Sequence, residues 1–140
     1  MARADFYLIA KPRFSEDPLL LVCELVKKAY AAEQPTLILA RTPEQADALD
    51  EKLWAFDDDA FIPHQLAGDE DDAMTAVVIA APGVATADRP LVVNLRDECA
   101  DGSYERVLEV VAADAAEREG SRLRWSEYKR RGFEVAKHDM

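Results

Sequence analysis

Five short apolar runs, ADFYLIA (4–10), TLILA (36–40), TAVVIAA (75–81), PLVVNL (90–95) and RVLEVVA (106–112), constrain this chain more than any other feature. Each is bounded by turn residues and rich in β-branched or aromatic side chains, so each reads as a strand buried on both faces. Between them the period changes to helical. Leu21, Val22, Leu25, Val26 and Ala29 predict a helix from Ser15 to about Glu33, with Ser15 as cap and Pro18 in the first turn. Thr42-Pro43-Glu44-Gln45 has the form of a helix start, and that helix continues to about Phe56. A last helix spans Asp114 to Arg131 despite Gly120. FIPHQLAG (61–68) carries a proline and a glycine and reads as an extended loop. Strands alternating with helices predict an α/β chain, a three-layer α/β/α sandwich around a mainly parallel or mixed sheet. At 140 residues one domain, 1–140, is expected.

The longest uninterrupted apolar stretches are far shorter than a membrane span, and the first residues lack a secretion signal, so a cytoplasmic protein without membrane contact is expected. Cys23 and Cys99 have neither metal-ligand nor disulfide spacing. His64 and His138 are the only histidines, and His64 reads as structural, held by local hydrogen bonds. The runs Asp57–Asp59 and Asp69–Asp72 lack calcium-loop spacing and read as solvated turns, so no metal is expected. Glycines lie only at 68, 83, 102, 120 and 132, which leaves no loop able to cradle phosphates and no cofactor to expect.

The net charge is −11, which disfavours strong direct binding to nucleic acid. The charge is uneven. Residues 1–117 hold 24 acids and 10 bases, whereas 118–131 hold six bases and two acids. At 100° per residue, Arg118, Arg122, Trp125 and Lys129 share a sector of about 60°. Either Trp125 packs in the core beneath ordinary solvated bases, or the stripe borders a groove for an acidic peptide ending in an aromatic residue. Trp54, at the edge of the stripe Ala46, Leu49 and Leu53, combines with Phe61, Ile62, Pro63 and Leu66 into a second candidate, an apolar patch for a protein partner. The alternative is a satellite core beneath a loop.

The segments ADFYLI, LLLVCELVKKAY, DEKLWAFDDDAFIPHQLAG, PLVVNL and RWSEYKRRGFEV, in this order and spacing, resemble the chi subunit family of bacterial DNA polymerase III over nearly the whole chain. The resemblance implies a nucleotide-binding-like α/β topology without a phosphate loop. It also implies a non-catalytic accessory subunit associated with the clamp loader. Such a subunit pairs with psi, or with a substitute such as a helicase. It holds the acidic C-terminal tail of single-stranded DNA-binding protein, which ends in Pro-Phe. By position, Arg118, Arg122 and Trp125 match the family's tail-binding helix, and Val111 is expected to line the phenylalanine pocket. Lys129 joins by helical geometry. Trp54 and Phe61, with Ile62 and Pro63, match the partner-facing surface. Arg118 stands where the family has lysine, and Trp125 where it has tyrosine. A nucleotide- or phosphometabolite-binding enzyme is the alternative reading.

Overall fold

The computed structural model describes residues 2–57, 59, 61–68 and 72–140, and its backbone closes around one seven-stranded sheet. In chain order the elements are β1 (Arg3–Leu8), α1 (Pro12–Ser15), α2 (Pro18–Ala31), β2 (Thr36–Leu39), α3 (Pro43–Ala55), β3 (His64–Leu66), a 3₁₀ turn (Asp72–Met74), β4 (Val77–Ala80), β5 (Leu91–Asn94), β6 (Arg106–Val111), α4 (Ala115–Arg130) and β7 (Glu134–Asp139). The strand order is β3-β4-β2-β5-β6-β1-β7, and every neighbouring pair is parallel. The sheet is therefore wholly parallel rather than mixed.

The apolar runs become strands because both of their faces are covered: β4 and β5 are buried at every position. On one face α2 and α3 press Leu21, Val22, Leu25, Leu49 and Leu53 onto Ile38, Ile79 and Val93. On the other, α4 sets Tyr128 and Trp125 against Phe6, Ala4 and Val107. Over β2, β4 and β5 this second cover is chain without helix, including Cys99, Ala100 and Tyr104. The third layer is thus one helix plus connecting segments.

Three boundaries differ from the sequence reading. Ser15 closes the one-turn helix α1 instead of capping α2, because Asp17, preceding Pro18, leaves the helical region at φ −145° and ψ 78°, and the helix restarts at the proline. The His64–Leu66 part of FIPHQLAG is an edge strand, a position that tolerates Pro63 beside it. The third is β7, which the sequence reading leaves as tail. Gly132, at φ +93°, ends α4 with its N–H on Lys129 O, while the Phe133 N–H returns to Tyr128 O and turns the chain into this strand. The Thr42 hydroxyl accepts from the Gln45 N–H as expected, but the Gln45 side chain accepts from Arg41 N rather than from the cap itself.

The acidic turns carry bonds of their own. Asp57 pairs with Lys27, and Asp72 accepts from Gln65 Nε2 and Gly68 N, so both residues shape their loops. Asp58, Asp69, Glu70 and Asp71 lie outside the described residues. Cys23 is core, and burial pushes its thiol up to about 12.

Beneath β1 on the α2 side, Asp5 is fully buried and bonded by Arg106 Nε at 2.7 Å, Arg3 Nε at 2.9 Å and His138 Nε2 at 2.9 Å. The bonds from Arg106 and His138 tie β1 to β6 and β7, and Arg3 adds a donor from β1 itself. Burial by itself would raise the Asp5 carboxyl, but the bonds from Arg3, His138 and Arg106 outweigh it and hold the group down at about 2. A depressed carboxyl contributes stability that is present above its unfolded value near 3.8 and disappears as pH falls through the folded value. Urea unfolding at pH 7 should find Asp5→Asn about 2 kcal/mol less stable than wild type. Repeated between pH 4 and pH 2, the measurement should show that difference shrinking steadily.

Candidate functional site: a cationic cleft at the open edge of the sheet

The rotation of α4 about its axis is fixed from beneath. Glu109, in mid-β6, is fully buried, and Arg124 Nε donates to its Oε1 at 2.8 Å. Tyr128 Oη and Asn94 Nδ2 donate to Oε2 at 2.6 Å and 2.7 Å. Arg124 Nη1 also reaches Asp97 O, and the Ala100 N–H donates to Tyr128 Oη. Burial pushes the Glu109 carboxyl up, and the opposing pull of Arg124, Tyr128 and Asn94 only partly offsets it, so the group stays above the usual carboxylate range. The same burial, beside that carboxylate, drives the Tyr128 hydroxyl strongly upward. With Ser121, Arg124 and Tyr128 facing inward, the adjoining side of the helix turns to the sheet edge. That side carries Arg118, Arg122 and Trp125.

There a cleft of about 490 Å³ opens between α4, β1 and β7, lined by Arg118, Ser121, Arg122, Trp125 and Ser126 from the helix and by Phe6, Leu8 and Lys137 from the strands. Trp125 is half-buried, and its ring lies 5.2 Å from that of Phe6, tilted by 51°. Arg118 is anchored, with Nη2 donating to Ile9 O at 2.9 Å just beyond β1. Its Nε is buried and has no hydrogen-bond partner among the described residues. Arg122 is exposed one turn away. The cleft therefore offers an apolar floor, one guanidinium held in place and one exposed at its rim. This arrangement suits a carboxylate beside an aromatic ring.

Two residues assigned to this site by sequence lie elsewhere. Val111 is fully buried, and Leu8, its register neighbour on β1, lines the cleft instead. Lys129 is exposed one turn past Trp125, outside the cleft lining. Sequence reasoning missed Lys137 because it missed β7, although Gly132 followed by an alternating FEVAKHD carries a strand signal. It also missed the Glu109 network. An acid inside the apolar run RVLEVV needs a buried partner, and Arg124 with Tyr128, four apart on one helix face, can supply it.

The second candidate is an exposed aromatic pair on α3 and the loop before β3. Trp54 is 55% exposed and Phe61 66%, with ring centroids 5.7 Å apart. Trp54 also leans on His64, at 4.4 Å. His64 is structural, its ring nitrogens lying 2.6 Å from Ile62 O and 2.9 Å from Asp50 O. Pro63 is half-buried, but Ile62 is sealed in the core with Leu49 and Leu53 and does not belong to the surface. Burying Ile62 holds the loop down so that Phe61 faces outward.

At the carboxyl ends of the central strands, where ligands of parallel sheets commonly sit, arginines occupy the positions. Arg96 bonds Ala40 O at 2.9 Å and Ala80 O at 3.1 Å. Arg41 bonds Leu95 O and forks onto both oxygens of Glu117 at 2.9 Å and 3.2 Å. Among the described residues no group of three or more His, Cys, Asp or Glu side chains converges to hold a metal ion, and no helix is long and apolar enough to cross a membrane.

Removing Arg124 strands a buried carboxylate, so Arg124→Met should cost about 3 to 5 kcal/mol in urea unfolding. The double variant Glu109→Met with Arg124→Met should recover part of that loss.

Solved structures share this fold at low sequence identity. The C-terminal domain of the DEAD-box protein Dbp5 superposes with a TM-score of 0.60 at 14% identity, covering 99% of this chain and 91% of that one. T4 UvsW gives 0.65 at 10% identity, and a longer Dbp5 chain from S. cerevisiae gives 0.65 at 15%; this chain spans 41% of each. These likenesses establish the architecture alone. Relatives by sequence are nearer. The DNA polymerase III subunit chi of Pseudomonas aeruginosa is 33% identical over 100% of this chain and 98% of its own length. That of Escherichia coli is 30% identical over 96% of both, and that of Haemophilus influenzae 26% identical over 86% and 85%. The sequence profile described as "DNA polymerase III chi subunit, HolC" matches residues 1–136, and the chain therefore belongs to the DNA polymerase III chi subunit family.

Proposed function

We propose that this chain, one chi-type domain over its whole length, is a non-catalytic adaptor. It holds the acidic C-terminal tail of single-stranded DNA-binding protein in the α4–β1–β7 cleft and pairs with psi, or a substitute such as a helicase, through Trp54 and Phe61. In this role it links the clamp-loader side of the replication machinery to coated lagging-strand template. The observation that carries the reading is the anchored Arg118, whose buried Nε has no partner among the described residues, beside the exposed Arg122 and the Trp125–Phe6 floor. A buried donor without a partner is costly, and a carboxylate entering the cleft relieves that cost. The alternative of a nucleotide-binding enzyme is disfavoured by Arg96 and Arg41, which already occupy the strand ends where such a ligand would rest.

The mechanism follows from short-range forces. The body is acidic, with a net charge of −11, so the basic helix attracts a tail only within about the 8 Å Debye length. Once there, the terminal carboxylate forks onto Arg118, upstream aspartates meet Arg122 and Lys137, and the ring settles between Trp125, Phe6 and Leu8. Burying a phenylalanine contributes about 1.5 to 3 kcal/mol and a charge-assisted pair a comparable amount, which after association costs corresponds to a Kd of roughly micromolar order. Tetrameric tails on coated DNA raise the effective affinity by avidity.

Fluorescence anisotropy with a labelled peptide ending Asp-Ile-Pro-Phe tests the cleft. Removal of the phenylalanine, or Arg122→Glu in the protein, should each weaken binding at least tenfold, and binding indifferent to both would overturn the reading. The second surface is tested separately. Trp54→Ala should leave tail affinity within about twofold of wild type while reducing capture of psi at least tenfold; loss of both activities together would mean that Trp54 supports the fold.

A further inference from the structure

The cleft is open on the side of β7, and β7 is the last strand of the sheet. Glu134 donates its N–H to Ala2 O and Met140 to Leu8 O, so the even-numbered residues of this stretch direct their backbone groups toward β1. In a parallel ladder the alternate residues direct theirs the other way. Val135, Lys137 and Asp139 therefore present N–H and C=O groups along an edge on which the described residues place no further strand. Both flanks of the edge carry cations. On the α4 side are Lys137 and Arg122, in the cleft already described. On the α2 side a second groove, of about 410 Å³, has exposed Lys28 at its rim, with Arg106 and His138, both already bonded to Asp5, and Tyr7 along its wall. Glu134 and Asp139 mark the two ends of the strand, and Glu134 faces Arg3 at 4.0 Å.

We propose that the residues upstream of the tail's terminal aromatic add to the sheet as an eighth strand, parallel to β7 and hydrogen-bonded to Val135 and Lys137. The inference rests on the tail-binding reading above and specifies its mode. The direction follows from where the terminal carboxylate goes. Arg118 is anchored at the carboxyl end of β1, so a peptide that ends there and lies along β7 arrives from the Glu134 end. Side chains of an added strand alternate between faces. Successive aspartates would thus face Arg122 and Lys137 on one side and Lys28 on the other, so acids on both faces of the added strand meet a cation. Backbone bonds supply affinity that depends little on side-chain identity, and the terminal pocket supplies the specificity.

The test uses the folded chain and an octapeptide of five aspartates followed by Ile-Pro-Phe, compared with the tripeptide Ile-Pro-Phe. N-methylation of the second and fourth aspartates blocks one set of backbone donors, and N-methylation of the first, third and fifth blocks the other. One pattern should weaken binding at least tenfold and the other less than twofold, because only one set faces β7. In the protein, Lys137→Pro should bring octapeptide affinity down toward that of the tripeptide, well below the effect of Lys137→Ala, which removes the charge but keeps the N–H. Octapeptide binding that responds equally to both methylation patterns, or to neither, overturns the added strand while leaving the tail-binding reading in place. Failure of the unmodified octapeptide to bind removes both.

Discussion

The carboxylate of Glu109 governs this molecule. It is enclosed in the middle of a parallel sheet, where an ionised group persists only if donors surround it, and Arg124, Tyr128 and Asn94 supply them. Two of these donors sit on α4, four residues apart, so satisfying the carboxylate fixes both the depth and the rotation of that helix. An apolar interface of equal area would let the helix roll with little penalty. The directional bonds to Glu109 do not, and Arg118, Arg122 and Trp125 face the cleft as a result. The proposed binding surface thus owes its geometry to a polar network on the hidden side of the same helix.

The other determinant is the open edge. A parallel sheet needs its faces covered but has no intrinsic way to close its ends. Here β7 follows α4 through the Gly132 turn and lies beside β1, so the chain places its most basic helix and its last free strand side by side. On the opposite side of β1 the buried Asp5 gathers Arg3, Arg106 and His138, which ties β7 into the sheet although among the described residues its one neighbour is β1. The two proposed partner surfaces are built on different principles. One is a charged cleft with an apolar floor, and the other is an exposed aromatic pair supported by a buried isoleucine and a hydrogen-bonded histidine.

Much of this was legible in the residues. Runs such as TLILA and PLVVNL, apolar at nearly every position, do not alternate as half-exposed strands do, and the helical period between them demands crossovers, so a doubly covered, mainly parallel sheet follows from pattern. The stripe of Arg118, Arg122 and Trp125 was likewise visible, because helical spacing fixes relative angle. The same angular argument placed Lys129 in the stripe but not its distance along the axis, and the cleft ends a turn earlier. Val111 belongs to the pocket only by the family resemblance and Ile62 to the surface patch only through its sequence neighbours, yet burial is decided by what packs above a residue, and both are core.

The sequence by itself determined the five buried strands, the helices between and after them, the alternation that makes a mainly parallel sheet and the Arg118, Arg122 and Trp125 stripe, since these depend on periodicity and local chemistry over a few residues. Only the tertiary structure decided the order of the strands, the pairing of Glu109 with Arg124, which face of α4 is hidden and that β7 stands at an edge with one flank unpaired. Those features arise from contacts between residues far apart in the chain, and their energies depend on which groups lose water together.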